Sequence, residues 1–194
     1  MSTYFLASRN LHKLAEMQAI LRGSGVKLRS LAEVAELPEI DEDGDSFLAN
    51  AVKKAVESAR LSGRLVLADD SGLEVPALGG EPGVHSARYA GPNSSDSQNT
   101  EKLLRRMLGI QQRQARFVCV LALANPLGLI GTAEGEVRGR IALTPSGQGG
   151  FGYDPVFVPQ GHKQSFAELS EDCKNQLSHR QQALQNALKT KLLK

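Results

Sequence analysis

Two adjacent carboxylates, Asp69 and Asp70, follow a short apolar segment that ends at Ala68. Neighbouring carboxylates repel each other unless a cation lies beside them. Magnesium prefers hard oxygen ligands and commonly takes one or two protein carboxylates together with phosphate oxygens. If the segment is extended, side chains alternate, so the two carboxylates point differently and can hold separate roles. The pattern favours a metal-assisted reaction at phosphate, and the alternative is an ordinary turn formed by residues 69–72.

A polar turn near the N-terminus is the second candidate. Tyr4–Ala7 is predicted to form a strand, and a helix is predicted from an N-cap at Asn10 to Gly23. The N–H groups of a helix N-terminus and its positive dipole bind phosphate oxygens. The alternative is an N-cap followed by a solvated lysine. The candidate phosphate-binding residues are Ser8, Arg9, Asn10, Leu11, His12 and Lys13.

An acidic run precedes a second predicted helix, which is expected to begin after an N-cap at Ser46 and to stop before Gly63. Acidic residues near a helix N-terminus are favoured by its dipole, and that account covers most of the run. Glu42 is the carboxylate that we assign to a metal site together with Asp70. The run consists of Glu39, Asp41, Glu42, Asp43 and Asp45, and Asn50, Lys53 and Glu57 share one face of the helix.

The last candidate segments lie in the C-terminal third. Glycines around Phe151 let the backbone approach a ligand closely, and Phe151 or Tyr153 is placed to stack on a base, although aromatic residues are more often part of a core. His179 and Arg180 begin a predicted helix and offer donors to a carbonyl or phosphate oxygen. The residues concerned are Gly149, Gly150, Phe151, Gly152, Tyr153, Asp154, Pro155, Lys174, Ser178, His179 and Arg180.

The elements that position these residues predict an α/β fold with a mixed central sheet. The apolar run from Phe117 to Ala124 is typical of a central strand, and a turn at 125–128 predicts a hairpin with the next strand. Further predicted elements are a strand at 64–68 leading into a turn at 69–72, a loop at 76–83, a helix at 100–108, a strand at 129–137, a short strand at 156–158 and a final helix capped by Ser178.

Composition excludes several classes of function. The chain has 194 residues, a formal net charge of +2 and two cysteines, Cys119 and Cys173. We expect one domain spanning 1–194, no nucleic-acid partner, no membrane partner and no disulfide framework. No stretch approaches the ~20 apolar residues of a membrane span, and a basic-then-apolar signal is lacking, so a reducing cytoplasm is expected.

Six short motifs occur in an order and spacing that resemble the inosine triphosphate pyrophosphatase family, also called XTP/dITP diphosphatases, over nearly the whole chain. The first two carry Ser8, Asn10 and Lys13, and then Phe47, Asn50, Ala51 and Lys53. The other four are Ala68–Leu73, Gly79–Arg88, Gly150–Pro155 and Ser178–Arg180.

The resemblance implies a mixed α/β fold, elongated and two-lobed, with a cleft between the lobes, and usually a homodimer. It implies Mg²⁺-dependent hydrolysis of small-molecule nucleoside triphosphates, namely ITP, dITP and XTP, to the monophosphate and pyrophosphate. By position it assigns the catalytic base to Asp70, substrate contact to Ser71, phosphate binding to residues 8–13 and Lys53, and metal binding to Asp70 and Glu42. Base recognition falls on Phe151, Gly152, Tyr153, Asp154, Lys174, His179 and Arg180.

Two departures from the family pattern stand out. Ser8-Arg9-Asn10 replaces a frequent Thr-Gly-Asn and keeps the hydroxyl and the amide. Ala49 stands where the family commonly carries Glu, which removes a carboxylate near the predicted metal site. Other classes stay open: a nucleotide-binding regulator, a nucleic-acid-binding protein, and a pyrophosphatase for modified pyrimidines. A P-loop kinase is excluded because GxxxxGK[ST] is absent.

Overall fold

The computed structural model describes residues 2–8 and 10–194, which form an α/β fold. Arg9 lies outside the described residues. The strands are β1 (Ser2–Leu6), β2 (Val26–Ser30), β3 (Val66–Glu74), β4 (Gln114–Asn125), β5 (Gly128–Ile141) and β6 (Phe157–Pro159). The helices are α1 (Leu11–Ile20), α2 (Phe47–Ser62), α3 (Asp96–Arg106), α4 (Glu171–Leu177) and α5 (His179–Lys189).

The strands form one sheet in the order β2-β1-β3-β4-β5-β6. Strand β1 pairs in parallel with β2 and β3, whereas β5 and β6 are antiparallel. Only Pro126 and Leu127 connect β4 to β5, which are neighbours, and so short a connection permits only an antiparallel pair. The predicted mixed sheet and the hairpin are therefore confirmed.

Two compact units divide the chain. The first comprises the chain up to Asp70, Cys119–Gly135 and His179–Lys194, and the second comprises Ser71–Val118 and Glu136–Ser178.

The first unit has its own apolar core, to which β1, β3 and β4 contribute Leu6, Leu67 and Leu121. Helix α5 packs closely on β5 at Gly135, where a Cβ would overlap the backbone of Ala183. The absence of a side chain at position 135 permits this close approach. The predicted core-facing residues of this helix are buried or half-buried: Ala183, Leu184, Ala187 and Leu188.

Helix starts in the first unit follow their predicted caps. The Asn10 side chain accepts hydrogen bonds from the backbone N–H groups of His12 and Lys13, and the Ser46 hydroxyl accepts one from Ala49. Gly63 ends α2 in the left-handed conformation, with φ of 68°. These caps set the directions from which α1 and α2 approach β3.

The second unit has a core built around three aromatic rings. The ring centroids of Phe117 and Phe157 are 4.7 Å apart, and those of Phe157 and Phe166 are 5.1 Å apart.

Helix α3 begins at residue 96, four positions before the predicted start. A capping box formed by Ser95 and Gln98 explains the earlier start.

The predicted turn at residues 69–72 is wrong, because β3 continues through this segment to Glu74. The two carboxylates find polar partners where they stand, so polar residues do not end the strand. Strand β2 and helix α4 were not predicted. Within the described residues, no helix combines the length and apolar character needed to cross a membrane.

Candidate functional site

Asp69 is the fully buried member of the carboxylate pair on β3. Its Oδ2 lies 2.8 Å from the Nζ of Lys13, which is on the first turn of α1. Burial by itself raises the pKa of a carboxyl group, but three neighbouring cations outweigh it and hold the pKa of Asp69 well below its usual range. These cations are Lys13, Lys54 and Arg180. Asp69 is therefore a permanent anion that anchors basic groups.

Asp70 lies in a different electrostatic environment. Its carboxylate accepts a hydrogen bond of 3.0 Å from the Asn50 side chain, and the residue is 6% exposed. Burial, and then the nearby Glu42 carboxylate, raise the pKa of Asp70 to about 6 against the opposing influence of the lysines and Asn50. A carboxylate with a pKa near neutrality can accept a proton at physiological pH.

Lys54 supplies a second cation to this cluster. Its ammonium pairs with Glu42, and its side chain is 13% exposed. Burial lowers the pKa of Lys54, but the surrounding carboxylates raise it above its usual value. These carboxylates are Asp69, Glu42 and Asp70.

From the sequence we predicted that Lys53, and not Lys54, binds phosphate. The Lys53 ammonium lies 2.7 Å from Asp43, whose side chain is 71% exposed. On α2, residues 50 and 54 are one turn apart and share a face. The sequence therefore contained a signal for Lys54, because this lysine lies four residues, or about one helical turn, after Asn50.

Arg180 enters the cluster from the first turn of α5. Its guanidinium donates to Glu16 at 2.9 Å, with both side chains less than 10% exposed. Glu16 is three residues after Lys13 on α1, so one helix contributes both a cation and an anion. His179, beside Arg180, is buried in the same unit. Lys13, Lys54 and Arg180 therefore act on the buried Asp69 carboxylate, whereas Lys53, which the sequence predicted in this group, pairs with Asp43.

Glu42 and Asp70 are the two carboxylates that the sequence predicts to hold a divalent cation. The repulsion of the Asp70 carboxylate by Glu42 is the arrangement that a bound cation relieves. Among the described residues, no group of three or more His, Cys, Asp or Glu side chains is arranged to hold a metal. Two carboxylates suit Mg²⁺, which keeps water and phosphate in its remaining positions.

The turn before α1 is more internally bonded than the sequence suggested. The N–H groups of His12 and Lys13 bond to the Asn10 side chain, and the N–H of Asn10 bonds to the Ser8 hydroxyl. Leu11 is 72% exposed and does not face the core. The prediction that this turn binds phosphate therefore depends chiefly on the Lys13 ammonium.

A separate polar group in the second unit surrounds Phe151. The Lys174 ammonium lies 4.8 Å from the centroid of the Phe151 ring and 2.7 Å from Asp154 Oδ2. The same oxygen accepts a hydrogen bond of 2.8 Å from the N–H of Phe151. Asp154 is buried, so its carboxylate fixes both the lysine and the loop that carries the ring.

The structure distinguishes the two aromatic candidates. Tyr153 belongs to the second core, and its hydroxyl donates to the carbonyl of Ser86 at 2.9 Å. Burial raises the pKa of Tyr153 above its usual value. Phe151 is only half-buried, and the Lys174 ammonium lies over its ring, so Phe151 is not part of the core as Tyr153 is. Gly152 lies between them in the chain, and its N–H donates a hydrogen bond of 2.7 Å to the Asp96 carboxylate. Ser71, the predicted substrate contact on β3, is half-buried.

Comparison with known proteins gives consistent results. Residues 4–190 match the sequence model of the Ham1 family. A dITP/XTP pyrophosphatase of Desulforamulus reducens is 48% identical over 185 residues, which cover 94% of this chain and 92% of the relative. One of Bacillus subtilis is 44% identical over 191 residues, covering 97% and 96%.

Solved structures agree with the sequence relatives. A HAM1 protein from Coxiella burnetii superposes with a TM-score of 0.89 at 41% identity, covering 99% of both chains. The Ham1 protein of Staphylococcus aureus superposes with a TM-score of 0.88 at 37% identity, covering 98% of both chains.

Proposed function

Because this chain belongs to the Ham1 family, we propose that it hydrolyses non-standard purine nucleoside triphosphates, namely ITP, dITP and XTP, to the monophosphate and pyrophosphate. Relatives that match more than 90% of the chain carry the name dITP/XTP pyrophosphatase. The observation that carries the proposal is the buried Asp70 carboxylate, with a pKa raised to about 6, beside Lys13 and Lys54.

In this mechanism the lysines offset the charge of the triphosphate. Lys13 and Lys54 present ammonium groups to the phosphates, and Asp69 holds the first of them in place. Asp70 orients a water molecule and takes its proton as the water oxygen bonds to the α-phosphorus. The bond from the α-phosphorus to the bridging oxygen breaks, and pyrophosphate leaves with the bonding electrons. General-base assistance of this kind is worth roughly 10²–10⁴-fold in rate.

The proposal includes Mg²⁺ as the cofactor, with Asp70 and Glu42 as its protein ligands. Bound there, the ion would neutralise charge on the phosphate oxygens of the substrate. The proposal also includes a homodimer, which rests on the family resemblance, and a cytoplasmic location, which rests on the sequence pattern described above. Light scattering on the purified protein tests the dimer.

Base selectivity needs hydrogen-bond donors that meet a carbonyl at position 6 of the purine. Hypoxanthine and xanthine carry this carbonyl, whereas adenine carries an amine. We assign such donors to His179, Arg180 and the neighbouring backbone, and base stacking to Phe151. An amine at position 6 would leave a donor buried and unpaired, at a cost of about 1–3 kcal/mol.

The experiment is pyrophosphate release from ITP, XTP, dITP, GTP and ATP, with and without Mg²⁺, by the wild type and by Asp70→Asn. We expect release from the first three and little from ATP, dependence on Mg²⁺, and a rate lowered about 10²–10⁴-fold in the variant. GTP also carries the carbonyl at position 6, so its rate reports any selection at position 2 of the purine. Near-normal turnover by a folded Asp70→Asn protein would remove Asp70 from the mechanism. Equal kcat/KM for ITP and ATP would refute the account of selectivity.

A further inference from the structure

Three consecutive residues before α2 each contact a residue on that helix. The N–H of Gly44 donates to Asn50 Oδ1 at 2.8 Å, Asp43 pairs with Lys53, and Glu42 pairs with Lys54. From Gly44 back to Glu42 in the segment, the partner residue on α2 moves forward from Asn50 to Lys54. The segment therefore runs antiparallel to α2. Residues 35–44 have no helix or strand of their own, so such contacts determine where Glu42 lies.

The Asn50 contact differs from the ion pair beside it. Asn50 is 1% exposed, whereas the Asp43 side chain is 71% exposed. An exposed ion pair contributes about 0–1 kcal/mol, because water screens it. The buried amide is therefore a stronger anchor of the segment than the Asp43–Lys53 pair.

The same amide continues to the proposed active site. Asn50 Nδ2 donates to Asp70 Oδ2 at 3.0 Å, while Asn50 Oδ1 accepts from Gly44. An asparagine offers one acceptor and one donor group on a short, branched side chain. One residue on a helix therefore joins the segment that carries Glu42 to the middle of β3.

Gly44 is fitted to this contact by its lack of a side chain. A Cβ at position 44 would lie 2.7 Å from Asn50 Oδ1 and 2.9 Å from the Cβ of Ala49. Both distances are too short for real Cβ contacts, so alanine would displace the segment from the amide. Glycine is required here because there is no room for a side chain, and not because the backbone is left-handed.

We propose that Asn50 is a positioning residue for the hydrolysis, because its amide ties the segment carrying Glu42 to Asp70 and so fixes the separation of the two carboxylates. The inference rests on the proposed function and adds a residue that touches neither substrate nor metal.

Three variants separate the two bonds. Asn50→Ala removes both, Asn50→Asp keeps the acceptor but loses the donor, and Gly44→Ala breaks the contact from the other side. The measurements are kcat and KM for ITP with saturating Mg²⁺, and binding of Mn²⁺ alone by electron paramagnetic resonance. Losses of about 10–100-fold are typical when an outer residue that orients metal ligands is removed.

We expect Asn50→Ala and Gly44→Ala to lower kcat about 10–100-fold and to weaken Mn²⁺ binding about tenfold, with KM changed less than threefold. Asn50→Asp should lower kcat similarly, but its added carboxylate can itself bind Mn²⁺, so kcat is its readout. The double variant Asn50→Ala/Gly44→Ala should be no worse than Asn50→Ala, because both changes break one connection. The matched control is Asn186→Ala, which loses an amide donating to the carbonyl of Glu134 and should leave both measurements unchanged.

Three outcomes would overturn the inference: wild-type kcat and Mn²⁺ affinity in Asn50→Ala, additive losses in the double variant, or a rise in KM without a fall in kcat. If alanine prevents folding, Asn50→Asp has nearly the same shape and carries the test. If the wild type releases no pyrophosphate from any nucleotide, the proposed function fails, and Mn²⁺ binding by the variants alone decides whether Asn50 positions the carboxylates.

Discussion

Asp69 and Asp70 are neighbours on β3, yet their carboxylates have pKa values displaced in opposite directions. Asp69 is paired with Lys13 at 2.8 Å, whereas Asp70 accepts a hydrogen bond from Asn50 and feels the charge of Glu42. Alternation of side chains along the strand makes this division possible. The two neighbouring carboxylates therefore lie in different electrostatic environments: Asp69 is held as an anion beside Lys13, and Asp70 has a pKa raised to about 6.

Replacing Asp69 by Asn should destabilise the protein. Removing one partner of a buried ion pair leaves an uncompensated charge, so we expect the free energy of unfolding at pH 7 to fall by about 3–5 kcal/mol. The pKa of Asp69 is lowered in the folded state, so its contribution is present above the ordinary carboxyl pKa and is lost only as the pH falls through the lowered value. Urea unfolding should show a nearly constant deficit from pH 8 to pH 5. A deficit that vanished at pH 6 would contradict this assignment.

Replacing Asp70 by Asn should have the opposite effect on stability. The folded pKa of about 6 is above the ordinary value, so the contribution of Asp70 is present at acid pH and is lost as the pH rises through 6. At pH 8 the buried anion opposes folding, and Asn should raise the free energy of unfolding by roughly 1–3 kcal/mol. Thermal unfolding in EDTA should show a gain at pH 8 that shrinks towards pH 4. A lower melting temperature at pH 8 would refute the raised pKa.

Lys54 and Lys53 form a matched pair for testing the cation of α2. Lys54→Met removes an ammonium surrounded by three carboxylates, and we expect kcat/KM for ITP to fall about 10²–10³-fold. Lys53→Met removes an exposed ion pair and should cost less than about fivefold. Steady-state kinetics on the two variants decides between them. A larger loss for Lys53→Met would restore the assignment made from the sequence.

The sequence predicted features that depend on local chemistry. Asn10 and Ser46 cap the helices they were expected to cap, since a side-chain oxygen and the next backbone N–H groups suffice for such a bond. The apolar run at 117–124 lies within β4, as predicted, because a strand covered on both faces has few polar positions.

Features that depend on distant partners were not predictable in the same way. Residues 69–72 have turn chemistry, but Lys13 and Asn50 satisfy the carboxylates within the strand. Spacings of three and of four residues from Asn50 both fit a shared helix face, and the contacts with Asp43 and Glu42 show which lysine joins the cluster. Tyr153 and Phe151 likewise differ in burial and in their contacts with Ser86 and Lys174.

Ala49 gives the last prediction, because the structure offers a role for the Glu that the family commonly carries there. Ala49 is the third residue of α2, is exposed, and donates its N–H to the Ser46 hydroxyl at 3.2 Å. A Glu at this position completes a capping box, in which its carboxylate accepts from the N–H of the cap residue. We therefore expect the Glu that the family carries at this position to act as half of a helix cap and not as a metal ligand.

We therefore expect Ala49→Glu to raise the free energy of unfolding by about 0.5–1 kcal/mol through the cap and the helix dipole. Such a gain raises the melting temperature by roughly 1–4 °C in a chain of this size. Ala49→Gln completes the box without a charge and should recover part of the gain, whereas Ala49→Lys should recover none. Mn²⁺ affinity should stay at the wild-type value in all three variants. Tighter Mn²⁺ binding by Ala49→Glu alone would show instead that this position contributes a ligand.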